Sequence, residues 1–188
     1  RNYQMGVLEW QSDPGKRFET VFRVYRNESR DRYDWVYPGE GLYRQETWAG
    51  ETVASGWLNP WNQVTAGAEW RREAVDIEEV SGPLEESSPN TGIFVQHRLE
   101  QNIWGLTSGI RYDYAHEYGG FWSPRLGFMV HAAEGLDLFL SVHRAHQAPS
   151  LSDRYVRVVY NGFEFVGNPD LKPETLTSWE GGLRWRGS

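Results

Sequence analysis

The sequence predicts an all-β fold: an antiparallel transmembrane β-barrel, present in part. Three observations carry that expectation. Segments alternate apolar with polar residues at the period of a strand, and the polar face is charged and glycine-rich, as a wet lumen requires. Connections alternate between short and long, as do periplasmic turns and external loops. Aromatic residues gather at both ends of the segments, where amphipathic rings settle at membrane interfaces.

Each element follows from its own pattern. Residues 2–11 and 17–29 read as strands joined by the tight turn Ser12–Lys16. The long connection Asp31–Arg44 leads to a strand at 45–58 and the turn Leu58–Asn62. Val64, Ala66, Ala68 and Trp70 then oppose Thr65, Gly67, Glu69 and Arg71. Asp76–Asn90 is long and acidic, with Asp76, Glu78, Glu79, Glu85 and Glu86, and reads as a solvated loop. A strand at 91–101 and the turn Glu100–Asn102 follow.

Beyond that turn, Trp104, Leu106, Ile110, Tyr112 and Tyr114 oppose Thr107, Gly109, Arg111 and Asp113. The intermediate connection Ala115–Phe121 precedes Leu126, Phe128 and Val130, which oppose Arg125, Gly127, Met129 and His131. After the turn Ala133–Gly135 comes the clearest stripe: Leu136, Leu138, Leu140 and Val142 against Asp137, Phe139, Ser141 and His143. Gln147–Lys172 is long, and Trp179, Leu183 and Trp185 then oppose Ser178, Glu180, Gly182 and Arg184. The count is about nine strands, the first running inward and the last ending at a periplasmic turn. Trp10, Phe18, Trp57, Trp61, Trp104 and Trp185 lie near tight-turn ends, and Tyr33, Trp35, Tyr112, Tyr114, Phe121 and Trp122 near the others.

Composition narrows the class. With 10 Trp, 10 Tyr and 8 Phe the chain is too aromatic for disorder. No stretch approaches the roughly 20 apolar residues of a spanning helix, and a mean hydropathy of -0.67 is compatible with a barrel, whose polar residues face the lumen. A net charge of -7 argues against nucleic acid. Zero Cys removes disulfides and thiolate metal sites.

Five ordered pieces carry a family likeness: Gly109-Ile-Arg-Tyr-Asp113, Ser123-Pro-Arg-Leu-Gly127, Ala148-Pro-Ser-Leu151, Gly167-Asn-Pro-Asp-Leu-Lys-Pro-Glu174 and Glu180-Gly-Gly182. Together with Thr65–Glu73, they resemble the C-terminal barrel of TonB-dependent receptors. His146-Gln147 stands where the family usually has an aromatic residue and Arg before Ala-Pro. The resemblance implies a siderophore-receptor-like protein in the outer membrane of a Gram-negative bacterium. Such receptors have 22 strands and a plugged lumen. Nine strands leave two open edges, which lipid cannot satisfy. Residues 1–188 are therefore expected to be a fragment of the receptor barrel, with no plug domain and no TonB-contacting box in this chain. The implied partners are the TonB complex, acting through the absent plug; outer-membrane lipid and lipopolysaccharide; and a ferric siderophore or similar nutrient complex. No cofactor is implied.

Site readings follow from residue chemistry. Arg144, His146, Arg154, Tyr155, Arg157 and Tyr160 combine cations with aromatic groups and few acids, which suits an anionic, aromatic ligand. Tyr33, Trp35, Tyr37 and Tyr43 would add an aromatic rim. Asn168, Pro169, Leu171, Pro173 and Glu174 read as a structural loop motif: each Pro pushes its predecessor towards extended backbone, and Asn168 bonds nearby backbone in a turn. Glu69, Arg71, Arg111, Asp113, Arg125, Glu180 and Arg184 read as a lumen-facing charge ladder, with guidance of an anionic substrate as the alternative. His143 and His146 point to opposite faces of a strand, and His131 and His143 are separated across the turn, so no metal site is expected. Ser150 and Ser152 lie near these histidines without a nucleophile elbow, so no catalytic residue is assigned. A barrel lipase, a passive porin-like channel and a soluble β-rich carbohydrate-binding domain are the other classes.

Overall fold

The computed structural model describes residues 2–12, 17–33, 41–79, 82–160 and 163–186. Strands β1 (Asn2–Gln11), β2 (Phe18–Tyr33), β3 (Gly41–Asn59), β4 (Asn62–Glu79), β5 (Gly82–Glu100), β6 (Trp104–Ala115), β7 (Gly119–Ala133) and β8 (Leu136–Gln147) follow in order. A short helix α1 (Leu151–Tyr155) and the strands β9 (Arg157–Tyr160) and β10 (Phe163–Val166) precede β11 (Glu174–Trp185). Each of β1 to β8 pairs antiparallel with its successor, and β11 pairs with β8, giving a nine-stranded open sheet. The β9–β10 hairpin stands apart as an insertion between β8 and β11.

The period-2 stripes become the two faces of this sheet. Register places Val95 beside Ile110, Leu106 beside Phe128, Phe128 beside Leu140 and Leu138 beside Leu183, so the apolar residues form one continuous face. That face is solvent-accessible in this chain: Ile93, Leu126, Leu140, Trp179 and Leu183 are all exposed. An apolar surface of that extent marks a partner, and here its regular alternation suits lipid. At the level of that stripe the opposite face carries Glu51, Glu69, Gly92, Arg111 and Asp113. At the turn between β7 and β8, Gly135 adopts φ +73° and lies against the Arg186 carbonyl, a place that a Cβ would occupy.

Two connections differ from the sequence expectation. Within Asp31–Arg44 the described residues 31–33 and 41–44 are strand, because β2 and β3 stay paired out to Tyr33 and Gly41. Asp76–Asn90 is not a solvated loop: β4 and β5 continue through Asp76 opposite Glu85 to Glu79 opposite Gly82. Antiparallel pairing satisfies the backbone there, and Ile77 on β4 faces Leu84 on β5. Ala115–Phe121 shortens to a turn at 116–118, and Gln147–Lys172 gains α1 and the β9–β10 hairpin. Trp35, Tyr37 and most of the turn Ser12–Lys16 lie outside the described residues.

The described core is small and sits on the tall hairpins rather than inside the wall. Val75, Ile77 and Leu151 are buried together, with Tyr43, Leu84 and Tyr155 packed around them. Val75 and Ile77 share the charged, inner face of β4 with Glu69 and Arg71. The loop after β8 therefore folds back across the short β6–β7 hairpin to reach them.

Candidate functional site

The inner face is organised by ion pairs. Register aligns Glu9, Arg23, Glu51 and Glu69 across β1 to β4, then Gly92 and Asp113 on β5 and β6. Arg23 donates to Glu9 at 2.7 Å and also pairs with Glu51. Arg111 donates to Asp113 at 2.7 Å and reaches past β5 to Glu69 at 2.9 Å. The passage exists because Gly92 has no side chain; a Cβ there would collide with the Arg111 guanidinium and the Asp113 carboxylate. Arg71 pairs with Glu73 at 3.3 Å on the same face. Four of the seven ladder residues are thus joined to other charges: Glu69, Arg71, Arg111 and Asp113.

A hollow of about 660 Å³ lies beside this network, lined by Thr107, Arg111, Arg125, Gly127, Ser141 and His143. Arg125 pairs in register with His143, as the tight turn between β7 and β8 requires. A second hollow of about 400 Å³ lies under the loop that follows β8. Its wall is Glu69, Arg71, Asn90 and Arg111, and its roof includes His146, Gln147 and Leu151.

That roof is held by named contacts. Ser150 caps α1: its hydroxyl accepts from the Asp153 amide at 3.0 Å and donates to the Asp153 carboxylate at 2.6 Å. Ser152 hydrogen-bonds Tyr43 on β3. Arg154 is buried and pairs with Glu117 in the β6–β7 turn. It also donates to the Pro169 carbonyl at 3.3 Å and lies over the rings of Tyr118 and Tyr155. Burial pushes the Tyr118 phenol up from its ordinary range.

The six expected ligand residues divide. Arg154 and Tyr155 meet in the roof anchor, with the guanidinium 4.7 Å from the ring. His146 stacks on Phe121 at 4.4 Å and shares a hydrogen bond of 3.2 Å with Ser123, lining the second hollow. Arg144 lies on the same face of β8 as Leu140 and Val142 and is exposed, away from the roof anchor. Arg157 and Tyr160 fall in β9, opposite Val166 and Phe163.

The loop motif closes the same roof. Asn168 donates its amide to the Asp153 carbonyl at 3.0 Å, and its side chain accepts from the Asp170 amide at 3.0 Å. Gly167 donates to the Val156 carbonyl at 2.6 Å. Leu171 donates to the Asn168 carbonyl at 3.3 Å, Pro173 ends the connection, and Glu174 opens β11 opposite Gln147. Sequence reasoning missed Glu117, Tyr118 and the helix itself. The Ser150-x-x-Asp153 spacing is the capping signature that marks α1.

Comparison with known proteins agrees with this architecture. The family model described as TonB dependent receptor-like, beta-barrel, matches residues 2–188. The vitamin B12 transporter BtuB of Vibrio vulnificus strain CMCP6 is 28% identical over 122 residues, 62% of this chain and 18% of that protein. BtuB of strain YJ016 is 24% identical over 161 residues, 82% of this chain and 25% of that protein. The chain therefore spans a quarter or less of these curated relatives. The siderophore receptor PirA from Pseudomonas aeruginosa superposes with a TM-score of 0.71 at 20% identity, covering 99% of this chain and 43% of that one. The ferric enterobactin receptor PfeA from the same species gives 0.80 at 17% identity, covering 98% and 33%. At these identities the structural likeness shows the fold.

Proposed function

Because the chain belongs to the TonB dependent receptor-like β-barrel family, we propose that it forms part of the wall of an outer-membrane receptor that captures a ferric siderophore and imports it with energy delivered by TonB. The family match over residues 2–188 is the observation that carries this reading. The remaining strands and the plug belong to the parent receptor, and the TonB complex acts on the plug. Ligand arrives from outside, above the hollow beneath the α1 loop. His146 faces that hollow, whereas Arg154 and Tyr155 act on ligand through the loop they anchor. Arg144, Arg157 and Tyr160 are candidate ligand groups by their cationic and aromatic chemistry. No covalent step is needed: the wall stays rigid through its ion pairs while the plug moves.

A second substrate reading rests on the curated relatives, both vitamin B12 transporters. Cobalamin is large and polar, and a lumen of mixed charge accommodates it as well as an anion.

Uptake separates these readings. The full-length receptor, expressed in a strain stripped of other such receptors, is given radiolabelled ferric enterobactin or radiolabelled cobalamin, with and without TonB. TonB-dependent iron uptake supports the siderophore reading, and TonB-dependent cobalamin uptake replaces it. Entry of both solutes unaffected by loss of TonB and by a protonophore identifies a passive channel and overturns active transport.

A further inference from the structure

The charges beneath the α1 loop do not balance. On the inner face of β1 to β6 two guanidinium groups are each shared by two carboxylates: Arg23 by Glu9 and Glu51, and Arg111 by Glu69 and Asp113. The hollow of about 400 Å³ under the loop sets Glu69, Glu73 and Asp113 against Arg71 and Arg111. Arg71 is matched by Glu73 at 3.3 Å, so the group of Glu69, Arg111 and Asp113 leaves one carboxylate in excess.

Cations able to offset that excess lie elsewhere. Arg154 in the roof is buried against Glu117. Arg125 and His143 stand in register one inner-face row nearer the periplasmic turn than Arg111, and they line the first hollow rather than this one. The uncharged lining consists of hydrogen-bonding groups. Asn90 and Gln147 bring carboxamides, which both donate and accept, and His146 brings an imidazole.

Partly buried charges are weakly screened, so the excess is felt by whatever enters. An anion there meets repulsion and, among the described lining residues, no unmatched guanidinium. Like charges at a binding surface discriminate between partners more than they set affinity. A ligand with amides at its rim instead finds partners for its carbonyls and its N–H groups.

We propose that the hollow beneath the α1 loop selects by charge, refusing anionic metal complexes and taking an uncharged one whose rim carries amides. This rests on the receptor reading above and narrows it. Hydroxamates, each singly charged, neutralise a ferric ion when they fill its coordination shell. Catecholates, each doubly charged, leave the complex anionic. A ferric hydroxamate siderophore and cobalamin share the required chemistry; a ferric catecholate lacks it.

The full-length receptor in detergent is titrated at equilibrium with ferrichrome (an uncharged ferric hydroxamate), cyanocobalamin and ferric enterobactin. Wild type is expected to bind one of the two uncharged complexes at least roughly tenfold more tightly than ferric enterobactin, and which one it binds names the source. In the double variant E69Q/D113N, which frees Arg111, the ratio of those affinities is expected to shift towards ferric enterobactin by at least roughly fivefold. E73Q, which frees Arg71 in the same hollow, should move the ratio in the same direction and serves if the double variant does not fold. Ferric enterobactin bound by wild type as tightly as the uncharged complexes overturns the inference and leaves the receptor reading standing. A ratio unmoved in every folded variant does the same. Binding of none of the three overturns both.

Discussion

Arg111 on β6 donates to Glu69 on β4 at 2.9 Å, across the whole width of β5. The span is possible because Gly92 leaves the intervening position empty. Both charges are about one-third exposed, so the pair itself stabilises modestly, and its value lies in joining three strands on the lumen face.

Replacing Gly92 with Val should therefore displace the guanidinium and lower barrel stability by about 1–3 kcal/mol through overpacking. Gly6→Ala is the matched control, because nothing lies within 4 Å of a Cβ there. Urea midpoints of the full-length receptor refolded into detergent report the difference. Equal midpoints for the two variants would show that Arg111 reaches Glu69 by another route.

Leu151 is the hydrophobic anchor of the loop that follows β8, buried at 4% against Val75 and Ile77. Leu151→Ala removes that anchor at a local cost of about 2–4 kcal/mol. The loop should then open while the wall stays paired. Trypsin cleavage after Arg157 is expected to accelerate, with the heat-modifiable gel shift of the folded barrel unchanged. A cleavage rate like that of wild type would mean that Leu151 does not hold the loop.

Much of the wall was legible in sequence because alternation is a local signal. The Leu136–Val142 stripe sets the facing of β8, and the turn at Gly135 then determines that His143 meets Arg125. The tall hairpins were not legible. Asp76, Glu78, Glu79, Glu85 and Glu86 have low strand propensity and obscure the short inner stripe of Val75 and Ile77. Their pairing follows from register inherited from the membrane-level strands below. The α1 loop was hidden for a different reason. Five residues are too few for a helical period, and Arg154 reads as a free cation until Glu117, 37 residues earlier, is brought beside it.

Arg154 and Glu117 give a test of how the cationic loop works. As an anchor, loss of Glu117 leaves the buried Arg154 without its carboxylate, at a cost of about 1–3 kcal/mol, and loss of Arg154 removes the same ion pair. Arg154→Gln and Glu117→Gln should then raise cleavage after Arg157 equally and reduce ligand uptake equally. Uptake impaired in Arg154→Gln alone, with equal cleavage, would assign Arg154 a direct contact with ligand instead.

The return of the loop to the wall depends on Asn168 and Pro173 acting at its two ends. Asn168 ties α1 through the Asp153 carbonyl and folds the next turn through the Asp170 amide. Pro173 holds Lys172 extended, so that Glu174 enters β11 opposite Gln147 and the following residues keep register down to Trp185 opposite Leu136. Asn168→Ala should cost about 1 kcal/mol. Pro173→Ala should cost about 0.4–1 kcal/mol, mainly by freeing the unfolded chain. Because both act on the same closure, the double variant should differ from the sum of the singles by roughly 0.5 kcal/mol or more. Folded yield of the full-length receptor, read by heat-modifiable gel shift, should fall for each variant, while ligand affinity of the folded fraction stays at the wild-type value. Undiminished yield with weakened affinity would make the motif part of the ligand site rather than the device that brings β11 back to β8.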